Sequence, residues 1–108
     1  VAACGGNSVG ISGIAPEASI YFIQLPINRG VDTSDVLEAF EKAKEWNVDV
    51  INCSWGSGEI SDGVRDAIVD IATNGRDGKG TIVVFAAGND DDLIGNDESS
   101  IPEVIAVG

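Results

Sequence analysis

Serines at positions 8, 54, 57 and 61 and cysteines at 4 and 53 are the side chains of nucleophile type that stand in or beside turns and strand ends. The chain contains no histidine. None of these groups therefore has an imidazole base within the chain, and a serine hydroxyl without a base is a weak nucleophile. Two widely separated cysteines, with no C-x-x-C pair and no histidine, do not make a zinc site. Cys53 lies in an apolar run, where a small buried thiol is the default reading. A disulfide to Cys4 stays open, and with it the redox compartment.

Four segments carry most of the remaining information. GGNSVGISGIAPEASIY at 5–21 is a glycine-rich turn leading toward a strand. It contains neither G-x-x-x-x-G-K nor G-x-G-x-x-G, so a phosphate-cradling loop is not supported. VDVINCSWGSG at 48–58 and GTIVVFAAGNDD at 80–91 each run from a strand into a turn, and IPEVIAVG closes the chain. By local rules alone Asn89-Asp90 reads as a turn.

The formal net charge is −12. That excludes nucleic acid as a partner, because phosphate binding needs a basic face. After Lys79 there is no Lys or Arg, while Asp90, Asp91, Asp92, Asp97, Glu98 and Glu103 are all acidic. A solvated acidic surface accounts for most of this charge.

Several elements must position these groups. Residues 19–25, SIYFIQL, are β-branched and aromatic and close on Pro26, which predicts a strand. Residues 33–46 predict a helix, with Thr33 or Ser34 as N-cap and Val36, Phe40 and Ala43 on one face; Asn47 stops it. Residues 48–54 predict a second strand whose lack of clean alternation fits burial on both faces. Residues 61–74 predict a helix capped by Ser61, with Val64, Ile68, Ile71 and Ala72 as its core face and Gly75 as a left-handed cap. Residues 81–87 and 104–107 complete four strands. The β-α-β-α-β order implies parallel strands in a three-layer αβα arrangement. Sites in such sheets form where the strands' carboxyl ends open into loops, which here are 55–60 and 88–96.

The length of 108 residues supports one unit with a hydrophobic core. Hydrophobic residues at 44% and charged residues at 22% give the balance of a globular domain. No apolar run reaches the roughly 18 residues of a membrane span, and no signal-peptide pattern is present. The chain lacks methionine, so Val1 is not expected to be a translation start.

N-S-V-G-I-x-G-I-A-P, V-D-V-I-N-x-S-x-G, A-A-G-N and V-I-A-V-G occur in the order and near-spacing of the subtilisin family of serine proteases, which the whole chain resembles. The resemblance implies that residues 1–108 are a central fragment of a catalytic domain. It implies that Ser54, Trp55 and Gly56 form one wall of the cleft and pair their backbone with substrate. A glycine suits Gly56 because a peptide backbone must approach closely. Ala86, Ala87 and Gly88 would form the opposite wall of the pocket for the residue before the cut bond. Asn89 matches the family's oxyanion-hole asparagine, whose neutral amide stabilises the negative charge of the tetrahedral intermediate. Asn7, with the carbonyls of Gly5, Val9 and Ile11, resembles part of the family's calcium loop. No cofactor is required for the chemistry. Structural calcium is expected only in the full-length protein, because calcium takes six to eight oxygens. Residues 28–30 fall where the family pairs an extended peptide by strand addition.

The family's H-G-T motif would lie upstream of Val1 and its G-T-S motif downstream of Gly108, and none of the serines here matches the latter. The fragment alone is thus expected to be inactive and to self-associate through exposed strand edges. The parent is expected to be a serine endopeptidase acting on peptide or protein substrates through an acyl-enzyme. The alternative is a non-catalytic binding or scaffolding domain of the same fold. Family membership alone implies a secreted or membrane-associated protein. SWG at 54–56 and the stretch before Asn89 resemble the kexin and furin branch. That implies a preference for Arg or Lys before the cut bond, with Glu59, Asp97 and Glu98 as pocket acids.

Overall fold

The computed structural model describes residues 1–89, 91 and 95–108. Three parallel strands form its sheet: β1, Val50–Cys53; β2, Ile82–Ala86; and β3, Val104–Val107, in the order β1-β2-β3. Helix α1, Thr33–Glu45, precedes β1, and helix α2, Asp62–Gly78, joins β1 to β2. A single 3₁₀ turn, Glu98–Ser100, lies before β3.

The cap of α1 is Asp32, rather than the expected Thr33 or Ser34. Its carboxylate accepts from the backbone N–H groups of Ser34 and Asp35, and the Asp35 carboxylate accepts from the Asp32 N–H. This reciprocal box satisfies three of the donors that a helix start leaves orphaned. Asn47 ends α1 as expected, at φ 53°, with its N–H on the Lys44 carbonyl and that of Val48 on the Ala43 carbonyl. Both bonds are those of a Schellman ending.

Ser61 caps α2 as expected. Gly75 is not a left-handed cap. It leaves the helix at φ −60°, ψ 169°, and the left-handed residues are Arg76 and Asp77. Glycine is required at 75 for closeness instead, because a Cβ there would lie 2.4 Å from the Thr81 hydroxyl. Arg76 is held by an ion pair to Asp49 at 2.8 Å and a bond to the Gly80 carbonyl at 3.3 Å.

Both helices contribute to the core on one face of the sheet. Val36, Phe40 and Ala43 of α1 and Val64, Ile68 and Ile71 of α2 pack with Cys53, Val83, Phe85 and Ile101. The opposite face carries Val50, Ile82, Ile105 and Val107, and Ile105 is 53% exposed. The parallel α/β architecture therefore agrees with the sequence, and among the described residues two of the expected three layers are formed.

The expected strand at 19–25 does not form. These residues run without a ladder, and Phe22 is 87% exposed. A groove of about 730 Å³ is lined on one side by Tyr21, Ile23 and Leu25 and on the other by β1. β-Propensity describes side chains that suit a pleated, half-buried surface, but it does not supply the partner edge. The segment is instead fixed at its ends, by Tyr21 stacking on Trp46 at 5.1 Å and by the turn in which the Arg29 N–H reaches the Pro26 carbonyl.

Candidate substrate cleft

β1 and β2 are neighbours in parallel register, with Cys53 opposite Phe85. The two chain segments at their carboxyl ends, 54–56 and 86–89, are therefore brought together at one end of the sheet. The sheet brings these two segments, the expected walls, together although they are far apart in sequence. Strand ends hold a site more rigidly than free loops do.

The expected first wall is anchored through Trp55. Trp55 is half-buried and packs on Phe85, so its indole serves the core. Ser54 is exposed, and its hydroxyl accepts from the Asn52 amide at 3.0 Å. Gly56 is exposed, and a Cβ built there would have Glu98 Oε2, at 3.9 Å, as its nearest atom. Among the described residues, packing thus does not demand the glycine. Glu59 is exposed beyond this wall.

The second wall begins with Ala86 at the end of β2. The Ala87 N–H donates to the Val107 carbonyl at 2.8 Å, tying this wall to β3. Gly88 has φ 90°, a region that only glycine enters without strain, and it turns the chain so that Asn89 stands exposed after it. Asp90 and Asp92, expected to flank this wall, lie outside the described residues, as does part of the expected loop 88–96.

The expected pocket acids divide. Asp97 is a cap, accepting from the Ser99 N–H at 2.9 Å and the Ser99 hydroxyl at 2.6 Å. Glu98 faces inward at 1% exposure, with both oxygens accepting from Ser57. No local signal marks this pairing, since the partners lie 41 residues apart and DESS reads as a solvated acidic run.

Cys4 is exposed and Cys53 buried, both as free thiols, which resolves the open disulfide. Burial, and secondarily the negative charge of Glu98, push the Cys53 thiol up to about 12. It stays protonated at neutral pH and is no nucleophile.

In the 5–11 loop the Asn7 Oδ1 accepts the Val9 N–H at 3.0 Å. Among the described residues no three His, Cys, Asp or Glu side chains gather as a metal site. The loop offers one amide oxygen and main-chain carbonyls, so by itself it is an incomplete donor set for calcium. Residues 26–30 form a turn, rather than an edge open to strand addition.

Fold and site together define a parallel α/β unit whose groups of interest sit at the carboxyl ends of adjacent strands. The chain belongs to the Subtilase family, the S8 peptidases, which it matches over residues 1–108. It is 34% identical to a calcium-dependent protease of Trichormus variabilis over 97% of its own length and 18% of that protein. It is 35% identical to subtilisin E of Bacillus subtilis over 78% of the chain and 21% of that protein. It is 34% identical to kexin of Saccharomyces cerevisiae over 82% of the chain and 12% of that protein. The chain thus spans about a fifth or less of these relatives. Family membership makes the chain part of the serine protease lineage. Among the described residues no helix is long and apolar enough to cross a membrane.

Proposed function

We propose that residues 1–108 are the central part of the catalytic domain of a serine endopeptidase that cleaves peptide bonds through an acyl-enzyme. The supporting observation is the adjacency of 54–56 and 86–89 at the ends of two parallel strands. In this reading an extended peptide lies between the two walls. Ser54 and Gly56 present main-chain groups to it, as an added strand would. The small residues Ala86, Ala87 and Gly88 leave a slot for the side chain before the cut. Asn89 donates its amide N–H to the oxyanion, where a neutral donor stabilises charge without being a buried ion itself. The nucleophile and its base come from outside this chain, which alone is inactive.

The test uses the full-length protein, a peptide substrate and a serine-directed phosphonofluoridate. Turnover abolished by labelling of one serine outside residues 1–108 is expected. Absence of any hydrolysis, with peptide binding retained, would favour a non-catalytic domain of the same fold.

Three further points belong to this reading. The 5–11 loop contributes Asn7 to a structural calcium site completed elsewhere in the protein, and calcium chelation should then lower the unfolding temperature of wild type more than of Asn7→Ala. The isolated chain self-associates through its exposed strand edges, and a monomer in light scattering would count against this. The parent is secreted or membrane-associated, which cell fractionation tests.

A further inference from the structure

Glu98 is a carboxyl group at 1% exposure, and a polar group so buried persists only where hydrogen-bond partners replace the lost water. Ser57 supplies two: its N–H lies 3.1 Å from Oε2 and its hydroxyl 2.6 Å from Oε1. Among the described residues no Lys or Arg forms an ion pair with Glu98. The turn that carries Glu98 is itself braced, by Asp97 on Ser99 and by the Ser100 hydroxyl on the Asp97 carbonyl at 2.7 Å. A second stitch joins the same two segments, from the Ile60 N–H to the Asn96 carbonyl at 3.0 Å. Ser57 follows the first wall directly, so its position sets the path of 54–56.

We infer that Glu98 is a positioning residue of the cleft: by holding both donors of Ser57 it fixes the backbone of 54–56 in a conformation ready to pair with an extended peptide. The inference rests on the reading of 54–56 as a substrate wall. Its physical content is preorganisation. A wall that must be ordered during binding subtracts that ordering from affinity, and only substrates long enough to use the wall are affected.

The test compares, in the full-length protein, a peptide p-nitroanilide with four residues before the cut and a single-residue ester that does not reach the wall. Glu98→Ala is expected to raise KM for the long peptide about tenfold, with kcat and ester hydrolysis moved far less. Glu98→Gln keeps the shape and one acceptor oxygen, and should recover much of the loss. Ser57→Ala should raise the same KM, and should add nothing on the Glu98→Ala background, because both remove one clip. Should Glu98→Ala fail to fold, Glu98→Gln and Ser57→Ala carry the comparison. Equal losses on both substrates, or no change in either, would overturn the proposal. Gly56→Val separates it from the reading beneath: long-peptide cleavage blocked by Gly56→Val but indifferent to Glu98 and Ser57 removes only the clip, whereas indifference to Gly56→Val removes the wall.

Discussion

The Trp55 indole meets the Phe85 ring edge-on, with centroids 5.2 Å apart and planes at 78°. The edge-to-face geometry suits the opposite partial charges of ring edge and ring face. The contact also locks the wall that follows β1 to the strand that ends in the other wall. Phe85 is fully buried beneath both. Phe85→Ala should destabilise the domain by about 3–5 kcal/mol, mostly through the cavity left behind. Denaturant unfolding measures it, and a loss below about 1 kcal/mol would place Phe85 outside the cooperative core.

The Cys53 thiol gives the fold a pH dependence of definite sign. Its folded value is raised from 9.0 to about 12, so the folded state keeps a proton that the unfolded state releases between those limits. The corresponding stability is present below pH 9 and is lost as pH rises toward 12, up to about 4 kcal/mol in all. Cys53→Ala should flatten this alkaline decline in unfolding titrations. At neutral pH iodoacetamide should label Cys4 and spare Cys53 until the protein unfolds, and rapid native labelling of Cys53 would contradict its burial.

Gly56 separates fold from function. Its Cβ direction is open and it lacks a left-handed φ. Gly56→Ala should therefore leave stability within about 0.5 kcal/mol of wild type. In the full-length enzyme the same methyl should raise KM for long peptides, because it occupies the path of a closely approaching backbone. Unchanged peptide kinetics would show that no substrate passes there.

Asn89 should act on turnover. Replacing it with leucine in the full-length enzyme should lower kcat by roughly two to three powers of ten, a magnitude established for subtilisins themselves, with KM little changed. An interaction made mainly in the transition state has this signature. A loss confined to KM would remove Asn89 from the oxyanion hole.

Glu59 remains the exposed acid beyond the first wall, while Asp97 and Glu98 are engaged within the chain. A preference for Arg before the cut should then weaken on Glu59→Gln, because a carboxylate can pair bidentately with a guanidinium. A panel varying only that residue tests it. A wild-type preference for Phe or Leu would end the idea.

The sequence by itself determined the class of fold and the family. Local signals were strong where chemistry and geometry coincide: Ser61 at a helix start, Asn47 at a helix end, apolar runs at 82–86 and 104–107, and the motif order that marks a subtilase. Tertiary structure alone decided the fate of 19–25, because a strand exists only where a partner backbone is within reach. It alone decided that Gly75 is glycine for the sake of Thr81, and that Glu98 belongs to Ser57. Each of these depends on which distant segment arrives alongside, and no local pattern of residues encodes that arrival.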